Sequence, residues 1–67
     1  MKAISGKELC KVLERAGWQC TRIRGSHHRY EQAGRAPVSV PVHGNRTLKT
    51  GTQQAIMKAA GLTEADL

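Results

Sequence analysis

Trp18-Gln19-Cys20-Thr21-Arg22-Ile23-Arg24-Gly25-Ser26-His27-His28-Arg29-Tyr30-Glu31 is the stretch that decides the fold. Its first half, Trp18 to Arg24, mixes an aromatic and two β-branched residues with polar partners, as an extended segment does. Arg24-Gly25-Ser26-His27 fits a two-residue hairpin turn with glycine first, where a positive φ meets no Cβ. A second strand, His27 to Glu31, then returns antiparallel to the first. Neighbours along a strand point to opposite faces, which separates the two histidines. Tyr30 is the best apolar residue of this strand and marks the core face. His28 shares its parity, whereas His27 and Arg29 fall on the open face. A slip of one residue would exchange them.

The flanks supply a helix on each side. Ser5 and Glu8 form an S-x-x-E capping box, and Ile4 and Leu9 occupy the staple positions that fix how the chain enters the helix. Leu9, Val12, Leu13 and Ala16 recur as one apolar stripe, and Gly17 is placed to end it. Lys7, Lys11 and Arg15 form the solvated side. Beyond the hairpin, Gln32-Ala33-Gly34-Arg35-Ala36 is a loop, and Pro37-Val38-Ser39-Val40-Pro41-Val42 alternates with three valines facing one way. The prolines make this an edge strand. His43-Gly44-Asn45 is a turn. Thr50-Gly51-Thr52-Gln53 offers a T-x-x-Q cap, Ala55, Ile56, Ala59 and Ala60 supply a narrow apolar face, and Gly61 stops the second helix. Thr63-Glu64-Ala65-Asp66 suits a short final turn. The expectation is a single α+β domain over residues 1–67, in the order α-β-β-β-α. Its three-stranded antiparallel sheet carries both helices on one face.

Composition bounds what such a domain does. With 67 residues the core is small. A formal charge of +6 favours a polyanionic partner, because each neutralised phosphate releases condensed counterions. No apolar run approaches the roughly 20 residues that span a bilayer, and Met1-Lys2-Ala3-Ile4-Ser5-Gly6 lacks a signal-peptide core, so a cytoplasmic location is expected. Cys10 and Cys20 are too few for a disulfide framework and lack C-x-x-C spacing; both read as reduced, small hydrophobes.

The hairpin concentrates imidazoles and guanidiniums. Histidine takes and gives protons near neutral pH, and arginine is the planar fork that matches phosphate. An exposed His27 beside Arg24 and Arg29 suits RNA cleavage: it deprotonates a ribose 2′-hydroxyl or protonates the departing 5′-oxygen, while guanidinium stabilises phosphoryl charge. The route requires no metal and no cofactor. A three-histidine metal site is disfavoured, since few carboxylates lie near the histidines and the arginines repel a cation. His43, after the valine strand, is a second proton-transfer group, a phosphate donor or simply a turn residue; nothing in the sequence turns it toward His27. The amides around Gly51 and Thr52 are a further place for a phosphate, as at any capped helix. Against the nuclease stands a non-catalytic RNA-binding module using the same basic surface. The scarcity of aromatics speaks against base stacking in that module. A third reading is an interaction protein whose basic face meets an acidic partner.

The chain resembles the HicA toxin family of bacterial toxin–antitoxin systems, also called YcfA-like proteins, over nearly its whole length. The resemblance rests on Ser5-Gly6-Lys7-Glu8-Leu9, Gly17-Trp18, Gly25-Ser26-His27-His28, Pro41-Val42-His43-Gly44, Lys49-Thr50-Gly51-Thr52 and Ala60-Gly61-Leu62, in this order and spacing. It implies a fold like the double-stranded-RNA-binding domain. It also implies a ribosome-independent mRNA interferase, an endoribonuclease neutralised by a HicB-type antitoxin, with His27 as the catalytic histidine. The residues expected to hold RNA phosphate are Arg24, Ser26, Arg29, His43 and Lys49. The lysine cluster that opens the second helix of double-stranded-RNA-binding domains is replaced here by Gln53 and Gln54, which argues against duplex binding.

Overall fold

In the computed structural model, which describes all 67 residues, Ser5 caps helix α1 (Gly6–Arg15) as the capping box requires. The Ser5 hydroxyl accepts from the Glu8 N–H at 3.1 Å, and Glu8 Oε1 accepts from the Ser5 N–H at 3.4 Å. At the other end Gly17 takes φ +92°, and the Trp18 N–H returns to the Leu13 carbonyl at 3.0 Å. This is a Schellman ending, in which the two hydrophobic residues so joined, Leu13 and Trp18, are both buried. Leu9, Cys10, Val12 and Leu13 form the buried stripe of α1, while Ala16 is exposed.

Strands β1 (Gln19–Arg24), β2 (His27–Glu31) and β3 (Val38–Pro41) form one antiparallel sheet in the order β1-β2-β3. Of the two hairpin-turn residues, Gly25 and Ser26, only Gly25 has positive φ, at +59°, which is the pattern of a type II′ turn. The pairing Tyr30↔Val38 and His28↔Val40 gathers the core residues of β2 and β3 on one face. Every strand residue in the core, Tyr30, Val38 and Val40, lies on that face, so α1 and α2 (Thr50–Ala60) both cover it. Helical cover leans toward β3. Strand β1 is exposed along its whole length, and Ile23 retains 62% of its accessible surface despite facing the helical side. Cys10 is a free, buried thiol, as expected of a small hydrophobe; Cys20 is free but exposed, because it sits on this uncovered strand.

Helix α2 departs from the expected arrangement. Thr50 is its first helical residue, Lys49 is the N-cap without a side-chain hydrogen bond, and no T-x-x-Q cap forms. Gln53 is instead fully buried, accepting from the Ile4 N–H at 3.1 Å and donating to the Lys2 carbonyl at 2.7 Å. That demand rotates the helix. Its buried side is Gln53, Ile56, Met57 and Ala60, leaving Ala55 and Ala59 outside. Gly61, at φ +69°, ends the helix as expected, and a short 3-10 turn follows at Glu64–Asp66.

Gly6 marks the closest approach of α1 to the sheet. A Cβ there would overlap the Pro41 carbonyl oxygen and lie 3.2 Å from Val42 Cα. Alanine stabilises an exposed helix interior by up to about 1 kcal/mol relative to glycine. Here Gly6→Ala is expected to cost about 1–3 kcal/mol through overpacking. A lower urea midpoint at unchanged slope is the readout; a midpoint at or above wild type would show that the contact gives way. Gln53→Leu, which strands the Ile4 N–H, is expected to lose about 1–3 kcal/mol in the same titration.

Candidate functional site

The open face of the sheet is built from two rungs. Arg24, His27 and Pro41 face one another across β1, β2 and β3, and Arg22, Arg29 and Ser39 do so on the second rung beyond. Directly opposed residues share a face, so these six side chains form one patch. A β-bulge makes it complete. The register shifts between Cys20 and Arg22, so that Thr21 and Arg22 together oppose Arg29. Without that extra residue, a strand with Cys20 opposite Tyr30 would carry Arg22 and Arg24 on the helical face.

Arg22, Arg24, His27, Arg29 and Ser39 line a cleft of about 200 Å³. No carboxylate is among its walls. Its single acidic neighbour is Glu31, which accepts from the Thr21 hydroxyl at 2.6 Å and from Arg29 Nε at 3.4 Å. The Thr21 hydrogen bond, opposed by desolvation and supported by Arg29, holds the Glu31 carboxyl below its usual range. The contact is therefore fully present above the ordinary carboxylate pKa and is lost as pH falls through the lowered value.

His28 lies on the helical side as its parity predicts, half-buried beside Cys10, Glu14 and Tyr30. Its imidazole makes no hydrogen bond to protein, contrary to the expectation for a packed histidine. Tyr30 is anchored there by donating to Glu14 Oε2 at 2.6 Å, and burial first, then that bond, pushes its phenol up. Burial likewise raises the Cys10 thiol, with the Tyr30 hydrogen bond acting in the opposite direction.

The remaining expected site residues do not join the His27 cleft. Ser26 sits at the hairpin tip, where its carbonyl accepts from the Val42 N–H at 2.6 Å and its hydroxyl lines no cavity. His43 and Lys49 line a separate cleft of about 300 Å³ with Pro41, Arg46, Thr47 and Thr52. Arg22, Ser39 and Arg46 are additions to the expected set. Arg22 was readable from its shared parity with Arg24, and Ser39 from its parity with Pro41. Arg46 lies in a turn, where no periodicity points to it.

A family model described as the HicA toxin of bacterial toxin–antitoxin systems matches residues 6–62. The chain belongs to the HicA toxin family. No curated protein matches closely enough to count as an individual relative. Membership makes this chain a toxin of a toxin–antitoxin system and implies a cognate antitoxin. No helix of this HicA-family toxin is long and apolar enough to cross a membrane.

Glu31 restrains Arg29, so Glu31→Gln is expected to raise the salt concentration needed to elute the toxin from heparin. Glu64→Gln removes the same charge away from the cleft and serves as the control. Equal shifts in the two variants would mean that net charge alone governs retention.

Proposed function

We propose that this toxin is a metal-independent endoribonuclease, an mRNA interferase acting in the cytoplasm, with His27 as its general acid/base. The observation that carries the reading is that His27 is the one imidazole in the arginine-walled cleft of the open face. The 2′-oxygen of a ribose attacks the adjacent phosphorus, the bond from phosphorus to the 5′-oxygen breaks, and the leaving oxygen takes up a proton. His27 removes the 2′-proton or delivers the one the 5′-oxygen needs. Arg22, Arg24 and Arg29 hold the phosphoryl oxygens and stabilise the charge that grows on them. Walls of guanidinium without carboxylate suit an anionic group and not a divalent cation.

The antitoxin, of HicB type by the resemblance, is placed on the same open face. An acidic surface matched to these arginines would exclude RNA by occupying its site. Family membership and the charge of +6 support this placement.

The test is RNA cleavage by wild type and by His27→Ala, each with a chelator present. Wild type is expected to cleave unhindered by chelator, and His27→Ala to lose about 10²- to 10⁴-fold in rate while keeping its affinity for RNA. Equal cleavage by the two proteins would remove His27 from the mechanism. Activity abolished by the chelator would indicate metal chemistry, and binding without cleavage would make the domain a non-catalytic RNA-binding module.

A further inference from the structure

The larger cleft, between the end of β3 and the start of α2, has the chemistry of a second anion site. Arg46 and Lys49 bring two cations to it, and His43, Thr47 and Thr52 add groups that hydrogen-bond to phosphate. None of these five side chains is engaged in a hydrogen bond or ion pair within the protein, and no carboxylate lines the cleft. The two ion pairs of the molecule, Met1–Glu64 and Arg29–Glu31, lie elsewhere.

The walls are held in place by backbone. The Arg46 N–H closes a turn onto the His43 carbonyl at 3.1 Å, Thr47 bridges to Ser5, and the Leu48 N–H donates to the Ile4 carbonyl at 2.9 Å. Leu48 is itself buried in the core. The backbone from His43 to Lys49 is thus closed on itself by one turn and tied at two points to the residues ahead of α1 before any ligand arrives, which lowers the backbone ordering cost of binding.

Its position relates it to the first cleft. Pro41 lines the larger cleft and pairs directly with His27, which lines the smaller. Paired residues of adjacent strands have Cα atoms about 4.5–5.5 Å apart, so one lining residue of each cavity stands on the same rung of the sheet, on neighbouring strands. A polyanion seated at His27 and continuing across β3 passes directly into the second cavity.

We propose that the Arg46–Lys49 cleft binds a phosphate flanking the scissile one on the same RNA strand. This inference rests on the reading of His27 as the centre of RNA cleavage. It makes the substrate an oligonucleotide held at two phosphates in series, and it gives His43 and Lys49 a role in positioning the strand and not in proton transfer. Single-stranded RNA suits two sites joined across one pair of strands, since one flexible strand can place a phosphate in each.

The experiment measures binding of single-stranded, fully 2′-O-methylated RNA across a salt series by fluorescence anisotropy. Methylation blocks the attacking oxygen, so the unaltered toxin is measured without turnover. Arg46→Ala with Lys49→Ala is expected to raise Kd about tenfold, the loss of a charge-assisted contact, and to flatten the salt dependence by about 0.7 per phosphate released. Lys7→Ala with Lys11→Ala removes equal charge from α1, where neither residue lines either cleft, and is expected to weaken binding less. Thermal melting of each variant separates lost binding from lost folding. If the two double variants weaken binding equally, or if the Arg46/Lys49 variant binds as wild type does, the second site is refuted. If wild type does not bind the RNA at all, the RNA reading of His27 falls and this inference with it. Wild type that binds and cleaves ordinary RNA, beside a folded Arg46/Lys49 variant of unaltered affinity, would overturn this inference alone.

Discussion

The Tyr30 side chain decides which face of the sheet is inside. It is 2% exposed, and its hydroxyl reaches Glu14 of α1 at 2.6 Å, so β2 has one register in which its ring is buried and its oxygen satisfied. Sliding β2 by one residue would put Arg29 and Glu31 into the core and Tyr30 into water. Everything on the open face inherits its direction from that choice. His27 and Arg29 point out because Tyr30 points in, and the pairing then fixes Arg24, Pro41, Arg22 and Ser39 around them. The turn Gly25-Ser26-His27 has its exposed imidazole for the same reason.

Charge follows the same division. The chain has 5 carboxylates against 11 lysines and arginines, and the carboxylates are committed to structural contacts. Glu8 completes the cap of α1, Glu14 receives Tyr30, Glu64 pairs with the terminal amine, and Asp66 accepts from the Thr63 N–H. Glu31 alone reaches the open face, where Thr21 and Arg29 hold it. Arg22 and Arg24 beside His27, and Arg46 and Lys49 in the second cleft, are therefore without a carboxylate partner in the protein. Arg22, Arg24 and Arg29 in one cleft and Arg46 and Lys49 in the other raise the local positive potential where no carboxylate lines the wall.

Features written in short-range chemistry were legible in the sequence. The capping box, the glycine-first hairpin, the parity of the two histidines and the glycine stops at Gly17 and Gly61 each depend on residues a few positions apart. Features that depend on partners far along the chain were not. Gln53 looked like part of a cap because its partners, Lys2 and Ile4, lie about fifty positions away, and its burial turned α2 from the face that Ala55 and Ala59 suggested. The bulge at Thr21 was likewise hidden, since no glycine or proline marks it. Arg46 was silent in the sequence because a turn has no period. The proximity of its cleft to His27 is a product of strand pairing.

The Gly6 contact joins the stability of the fold to the placement of the two clefts. Gly6 lets the first turn of α1 press against the Pro41 carbonyl, and Pro41 is the residue that stands between the clefts as the partner of His27. The same stretch is held from two further sides. The Val42 N–H reaches the Ser26 carbonyl at the hairpin tip, and Thr47 and Leu48 are tied to Ser5 and Ile4 just ahead of α1. The N-terminal segment and the first turn of α1 thus brace β3 and the following loop from the helical side, while the side chains of the His27 cleft stand on the other. A small protein with little core gains from this economy. Hydrogen bonds that close the fold also fix the backbone around its clefts, so that backbone needs little further ordering when a ligand binds.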